Sequence, residues 1–176
     1  MRNLVWFMFT LLLVVFPRQS SASSIVAPAS STELKQALKL VGETRFKVLF
    51  WDIYDSQLLT KTGTYDEQQS FMFEITYLKN ISSEDLIERT VEQWQHIGID
   101  APLYETYLPK LAQFWPDIKK GDSLTMWVDE HSTAFYFNQE LVGTIADSEF
   151  GNMFSAIWLS PKTSQPKLRK ELLGLN

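Results

Sequence analysis

The chain has no cysteine and only two histidines, His96 and His131, among its 176 residues. The absence of cysteine excludes disulfides, thiolate zinc sites, iron–sulfur clusters, a cysteine nucleophile and a lipid-anchored cysteine. Two histidines are too few for a multi-histidine metal site, and we expect neither a metal nor a cofactor. Basic residues are also outnumbered, 16 Lys and Arg against 21 Asp and Glu, and the net charge of −5 argues against a nucleic-acid partner.

The motifs that mark common enzymes are missing as well. The sequence has no G-x-S-x-G elbow, no phosphate-binding loop, no G-x-G-x-x-G and no H-E-x-x-H. His96 lies near a predicted helix end and His131 in a predicted turn, so both are interpreted as surface residues. No motif therefore identifies a catalytic residue.

One long hydrophobic run stands apart at the N-terminus. Residues 4–16 are apolar and follow a short basic start, and Pro17 and a stretch of small residues come next. This pattern is typical of a secretory signal peptide over residues 1–22, cleaved after Ala22; the alternative is an uncleaved anchor at the membrane face. The mature chain, with no later run long enough to span a membrane, is then expected in the bacterial periplasm or outside the cell.

The remaining sequence predicts a flexible lead-in at 23–32 and one α+β domain at 33–176. Strand 71–78 shows two-residue alternation, and Ser82 or Ser83 caps the helix that follows it. The order of the elements favours an antiparallel sheet with helices packed on one side. Strands are predicted at 45–59, 71–78, 123–129, 133–138 and 140–145, and helices at 32–42, 83–98, 102–115, 148–158 and 166–174.

Arg45 and Tyr54 are the candidate binding residues of the most hydrophobic predicted strand. Arg45 shares a face with Trp51 and Ile53 by two-residue alternation. A guanidinium beside an apolar sheet face suits a carboxylate or enolate that carries an apolar tail; the alternative is an edge arginine that faces water. Tyr54 lies on the opposite face by simple alternation, so it reaches the same pocket only through a bulge or a twist.

Four strings in a fixed order carry a resemblance to a known family. They are GETRFKVLFWDIYD at 42–55, YLKNI at 77–81, FYFN at 135–138 and IWLSPKTSQPKLR at 157–169. Over residues 33–174 the chain resembles the bacterial, signal-peptide-bearing branch of the chalcone isomerase-like superfamily. The resemblance implies an open-faced β-sandwich, in which helices cover an antiparallel sheet and a ligand cleft lies between them.

The superfamily includes enzymes that cyclise chalcones to flavanones and members that bind fatty acids. The resemblance implies that Arg45 meets a ligand carboxylate and that Tyr54 is its partner. The enzymes carry a tyrosine and an asparagine on the helix after the second strand, whereas residues 83–94 contain neither. No catalytic residue is therefore assigned, and Thr90 and Trp94, on the apolar face of that helix, complete the predicted ligand contacts.

Three functions remain open from the sequence. The first is an exported, non-catalytic binding protein for a fatty acid or a similar apolar carboxylate. The second is an intramolecular lyase or isomerase that acts on an enone or aromatic substrate. The third is a structural envelope protein without a ligand, its cleft closed by Trp94 or Trp115.

We expect the mature protein to begin near Ser23, because the small residues before it suit signal peptidase. Sequencing the N-terminus of protein taken from the cell envelope measures this directly. Recovery of the chain from the cytosol with Met1 intact would contradict the prediction.

Overall fold

The computed structural model describes residues 30–175, and the predicted signal peptide lies outside that range. Within it the chain forms six strands and six helices, none of the helices long and apolar enough to cross a membrane. The strands are β1 (Lys39–Val48), β2 (Trp51–Thr60), β3 (Phe71–Tyr77), β4 (Ser123–Val128), β5 (Thr133–Phe137) and β6 (Glu140–Ile145). The helices are α1 (Ser31–Gln36), α2 (Ser83–Ile97), α3 (Ala101–Tyr104), α4 (Leu108–Phe114), α5 (Phe150–Leu159) and α6 (Pro166–Leu172).

The strands form one antiparallel sheet in which each strand pairs with its neighbour in the chain, from β1 to β6. Helices α2, α5 and α6 lie over one face of this sheet, which we call the cleft face and which carries Phe73, Ile75 and Tyr77 of β3. Helix α1 lies on the opposite, outer face, where Lys35 Nζ approaches Glu74 Oε1 at 2.5 Å. The predicted α+β class is confirmed, but α1 corrects the expectation that all helices pack on one side.

The strand predicted over 45–59 is two strands joined by a tight turn. β1 ends at Val48, the chain reverses at Leu49 and Phe50, and β2 begins at Trp51. Leu49 adopts a left-handed backbone conformation with φ of 55°, which glycine and asparagine usually supply in such turns. Because the turn contains neither, the sequence gives no turn signal and predicts a continuous strand.

Two helices are also shorter than the sequence predicts. Helix α1 begins within the predicted lead-in, where the Ser30 hydroxyl accepts a hydrogen bond from the Glu33 amide, and it ends before β1. The helix predicted over 102–115 is divided into α3 and α4, and Pro109 lies in the first turn of α4. Proline has no amide hydrogen to continue a preceding helix, and it favours a new helix start.

An aromatic core holds the helices on the cleft face. The Trp94 side chain of α2 is fully buried and stacks on Tyr104, with ring centroids 5.1 Å apart. Its indole Nε1 donates a hydrogen bond to the Met153 carbonyl at 3.1 Å, which ties α2 to α5. Phe150 and Phe154 of α5 meet the same indole edge-on. These contacts fix both helices at one end of the sheet.

Gly42 in β1 lets α6 approach the sheet closely. A Cβ atom at this position would collide with the backbone carbonyl groups of Glu171 and Leu172. The Thr44 hydroxyl, two residues further along the same face, hydrogen-bonds to the Glu171 carboxylate. The glycine that the sequence assigns to a helix end therefore serves a close contact between strand and helix.

We expect Gly42→Ala to lower the free energy of unfolding by about 1–3 kcal/mol, because the added methyl group displaces the backbone of α6. Chemical denaturation measures the change. The neighbouring Glu43→Ala is the matched control: Glu43 is exposed, and its replacement should change stability by less than about 0.5 kcal/mol. If the two variants are equally stable, α6 can move away from β1 without lowering the free energy of unfolding, and the prediction is wrong.

Candidate functional site

A cleft with a volume of about 770 Å³ lies between the cleft face of the sheet and helices α2 and α5. Side chains from β1 to β5, from both helices and from the segment before α6 line it. Most of them are apolar: Phe46, Val48, Trp51, Ile53, Phe73, Ile75, Ile81, Leu86, Trp115, Leu124, Met126, Phe135, Phe154, Ile157 and Trp158. The other lining residues are polar, and four of them are charged: Lys79, Asp85, Arg89 and Glu92.

A β-bulge in β2 determines which residues reach this cleft. Phe46 pairs with Tyr54, and Lys47 pairs with Asp52, so Ile53 is an extra residue on β2. The extra residue turns Tyr54 to the cleft face, where its ring packs 5.1 Å from that of Phe46. Tyr54 therefore lies on the face opposite Arg45, and the bulge does not bring these two residues into one pocket.

Tyr54 and Tyr77 form a pair of phenols on the cleft face. They are direct cross-strand partners with ring centroids 6.1 Å apart. Burial raises the pKa of Tyr54 to about 12, although the hydrogen bond that its hydroxyl accepts from Trp158 Nε1 at 2.9 Å opposes the shift. Burial likewise raises the pKa of Tyr77 well above its usual value. Both phenols therefore stay protonated and can donate hydrogen bonds to a ligand.

Arg45 does not line the cleft. Alternation along β1 places Phe46 and Val48 on the cleft face and Arg45 on the outer face. There its Nε and Nη2 donate to the two Asp55 carboxylate oxygens at 2.6 and 2.8 Å, and its Nη1 donates to Asp52 at 3.1 Å. The carboxylates that Arg45 meets are those of its own hairpin, which corrects the sequence-based placement of Arg45 beside an apolar ligand site.

Thr90 and Trp94 occupy different environments. Thr90 lines the cleft, and its hydroxyl donates to the Leu86 carbonyl one turn earlier at 2.8 Å, which leaves the oxygen free to accept. Trp94 is one turn further along α2, packed in the aromatic core rather than along the cleft. Of the four predicted ligand contacts, the structure brings Tyr54 and Thr90 to the cleft and leaves Arg45 and Trp94 outside it.

Two basic residues lie at the mouth of the cleft. Lys79 Nζ lies over the Trp51 ring, 3.9 Å from its centroid, in a cation–π contact. Arg89 is paired with Glu92 at 2.6 Å. Within residues 30–175 no carboxylate approaches Lys79 Nζ within 4.0 Å, whereas Arg45, Lys47 and Arg89 each have an acidic partner.

Sequence reasoning missed Tyr77 and Lys79 as site residues, and it named Trp115 only as a residue that closes the cleft in a protein without a ligand. Tyr77 belongs to the alternating face of β3, which already indicated an inward side chain, and Lys79 lies in the string YLKNI. Trp115 lines the cleft, and its indole Nε1 is buried without a hydrogen-bond partner in the part of the chain that the structure describes. Neither His96 nor His131 lines the cleft.

Comparisons with known proteins agree with this architecture. The sequence profile of the chalcone isomerase-like family matches residues 22–174. An uncharacterized protein of Haemophilus influenzae is 24% identical over 135 residues, which cover 76% of this chain and 67% of that protein. A fatty-acid binding protein of Arabidopsis thaliana, known from its crystal structure, shares the fold with a TM-score of 0.61 at 11% identity, over 84% of this chain and 90% of that one. Because the family profile spans most of the sequence, the resemblance is confirmed, and the chain belongs to the chalcone isomerase-like family.

Proposed function

We propose that the protein binds a fatty acid or a similar apolar carboxylate in its cleft without converting it, and that it does so in the periplasm or outside the cell. The cleft carries the proposal: its volume of about 770 Å³ lies in the range of about 300–1,000 Å³ typical of ligand pockets, and more than half of its lining residues are apolar. The fold shared with a plant protein that is named for fatty-acid binding supports the same class of ligand.

Lys79 is the group that best suits the carboxylate of such a ligand. A carboxylate needs a partner when it leaves water, because an unpaired charge in an apolar site is costly. Lys79 lies at the mouth of the cleft and has no acidic partner among residues 30–175. Its contact with the Trp51 ring holds the ammonium at the rim. The ligand then leaves its charged end at the mouth and extends its hydrocarbon tail inward.

The phenols of Tyr54 and Tyr77 complete the polar contacts. Tyr77 closes β3, two residues before Lys79, and both phenols remain neutral hydrogen-bond donors at physiological pH. Deeper in the cleft, the buried indole Nε1 of Trp115 provides another donor. These donors can orient an oxygen-bearing ligand while its tail contacts the apolar part of the lining.

The same groups argue against chalcone-type catalysis. Cyclisation of a chalcone requires a positioned phenolate nucleophile, and a base assists its formation. With a pKa of about 12, Tyr54 is not a base at neutral pH. Helix α2 carries neither the tyrosine nor the asparagine of the enzymes; the residues that it presents to the cleft are Asp85, Leu86, Arg89, Thr90, Glu92 and Gln93.

The structural alternative, in which Trp94 or Trp115 closes the cleft, fits the geometry less well. Trp94 is packed in the aromatic core, and Trp115 lies along the wall of a cleft that stays open. A purely structural protein would be more stable if larger side chains filled the cleft, because an empty cleft leaves apolar surface without packing contacts.

We expect Lys79→Met to weaken the binding of a long-chain fatty acid about 5- to 30-fold. The change removes the charge but keeps the length of the side chain over Trp51, and a charged hydrogen bond at a half-exposed rim contributes about 1–2 kcal/mol. Calorimetric titration is carried out with the fatty acid and with the fatty alcohol of equal chain length. Because only the acid carries a carboxylate, the comparison separates the effect of the ligand's charge from that of its shape. The alcohol should bind both proteins equally.

Arg45→Ala is the matched control for this experiment. It removes a cation from the same end of the sheet, but from the outer face, so fatty-acid affinity should be unchanged. If Arg45→Ala loses affinity and Lys79→Met does not, Lys79 is not the partner of the ligand carboxylate, and Arg45 is. Failure of the wild-type protein to bind either ligand would contradict the proposed function.

We expect the purified protein to leave the rate of chalcone cyclisation at the buffer background, because Tyr54 is protonated at neutral pH and the Asp85 and Glu92 carboxylates of α2 repel a phenolate. The loss of chalcone absorbance follows the reaction. A rate well above background, abolished by Tyr54→Phe or Tyr77→Phe, would establish the isomerase alternative instead.

A further inference from the structure

The turn between β1 and β2 exposes four consecutive apolar side chains. Val48, Leu49, Phe50 and Trp51, which we call the hairpin tip, are 47%, 85%, 96% and 61% exposed. Isolated exposed apolar residues are ordinary in proteins, but a continuous group of this kind marks an interaction surface.

The backbone of the hairpin tip is strained by its own sequence. Leu49 has a φ of 55°, a conformation that costs energy for a residue with a branched side chain. Of the two turn residues, Leu49 has a positive φ and Phe50 does not, and a two-residue hairpin turn of this kind normally has glycine at its first position. Because Leu49 and Phe50 are almost fully exposed, packing within the fold does not compensate. Folding stability therefore gives no reason for their identities.

The apolar surface of the tip continues into the cleft. Val48 and Trp51 belong to both, and Phe46 and Ile53 extend the lining from the tip towards Tyr54. An apolar ligand that left the cleft along this path would meet hydrocarbon side chains as far as the turn and water beyond it. The tip thus extends the cleft mouth outward.

The charges around the tip favour a lipid surface over water or an acidic partner. On the outer face of the hairpin, Arg45 and Lys47 are paired with Asp52 and Asp55, so these charges cancel. On the cleft side, the Lys79 ammonium lies over the Trp51 ring. Tryptophan and lysine side chains are common at the headgroup level of a bilayer, because each has an apolar part that faces the acyl chains and a polar part that faces the headgroups.

We propose that the hairpin tip inserts into the interfacial layer of a lipid bilayer and holds the mouth of the cleft against the membrane. Leu49 and Phe50 enter the acyl boundary, while Trp51 and Lys79 lie at the headgroup level. The docking itself depends only on the tip. Its use as a route for ligand between bilayer and cleft rests on the proposed function.

Vesicle flotation tests the docking with protein isolated from cells, its N-terminus determined by sequencing. The vesicles are phosphatidylcholine alone and phosphatidylcholine with a quarter phosphatidylglycerol. We expect the double variant Leu49→Gly/Phe50→Asn to partition onto both at least about tenfold more weakly than wild type. Glycine at position 49 suits the positive φ of the turn, so the melting temperature should stay the same or rise.

Leu103→Asn is the control, because Leu103 is 60% exposed on α3, away from the cleft lining. It should float as wild type does. Equal flotation of the double variant and wild type, or no flotation of wild type on either vesicle, overturns the proposal. A concentration-dependent dimer that the double variant abolishes, with no vesicle binding, also overturns it and assigns the tip to a second copy of the chain.

A second measurement uses the absence of native cysteine. A polarity-sensitive fluorophore on Phe50→Cys should shift to shorter wavelength when vesicles are added, and the same label on Leu103→Cys should not. No shift at either site overturns the docking. Titration of the wild-type protein with dissolved fatty acid tests the proposed function separately. If the protein docks on vesicles but does not bind the fatty acid, the proposed function is contradicted and the membrane docking stands.

Discussion

The extra residue at Ile53 in β2 shifts the pairing with β1, and the character of the cleft depends on that shift. Side chains in a strand alternate between faces, so a single inserted residue exchanges the faces of everything beyond it. Here the exchange sends Tyr54 inward beside Tyr77, while the ionic groups Arg45, Asp52 and Asp55 are directed outward. One wall of the cleft thereby becomes apolar with two phenols, and the hairpin charges neutralise one another in solvent instead of being left unpaired in the interior.

Burial then controls the chemistry that this wall can perform. A phenol removed from water resists ionisation, because its phenolate would be poorly solvated. The Trp158 indole donates to the Tyr54 oxygen and packs against Phe73 with ring centroids 4.9 Å apart, so α5 positions a hydroxyl of the sheet. Helix α5 is itself held to α2 by the Trp94 hydrogen bond. The aromatic core thus fixes the separation between helices and sheet on which the width of the cleft depends.

The sequence predicts most elements of this fold because their signals are local. Alternation identifies β3, and Ser82 with Gly98 bounds α2: the Ser82 hydroxyl accepts from the Asp85 amide, and Gly98 adopts the left-handed region. The turn at Leu49 and Phe50 carries no such signal, since its residues favour a strand and its conformation is set by pairing between β1 and β2. For the site, Tyr54 and Thr90 could be predicted as cleft residues. The placement of Arg45 could not be predicted, because it depends on which face of β1 meets the helices. Lys79 could not be predicted either, because it differs from the basic residues near it only in lacking an acidic partner within the described residues.

The order of the strands in the sheet also determines which contacts join distant parts of the sequence. Each strand pairs with the next strand in sequence. Four of the five connections are short and have small closure entropies, whereas β3 and β4 are joined by the longer segment that carries α2, α3 and α4. The ends of the described chain make the distant connections: α6 packs on β1 through Gly42, and the Ser31 amide, at the start of α1, donates to the Gln139 carbonyl between β5 and β6. These connections span most of the sequence and carry the largest entropic cost of any contact in the domain. The sheet can therefore form from two sets of consecutive strands, β1–β3 and β4–β6, and the docking of the two terminal helices completes the fold.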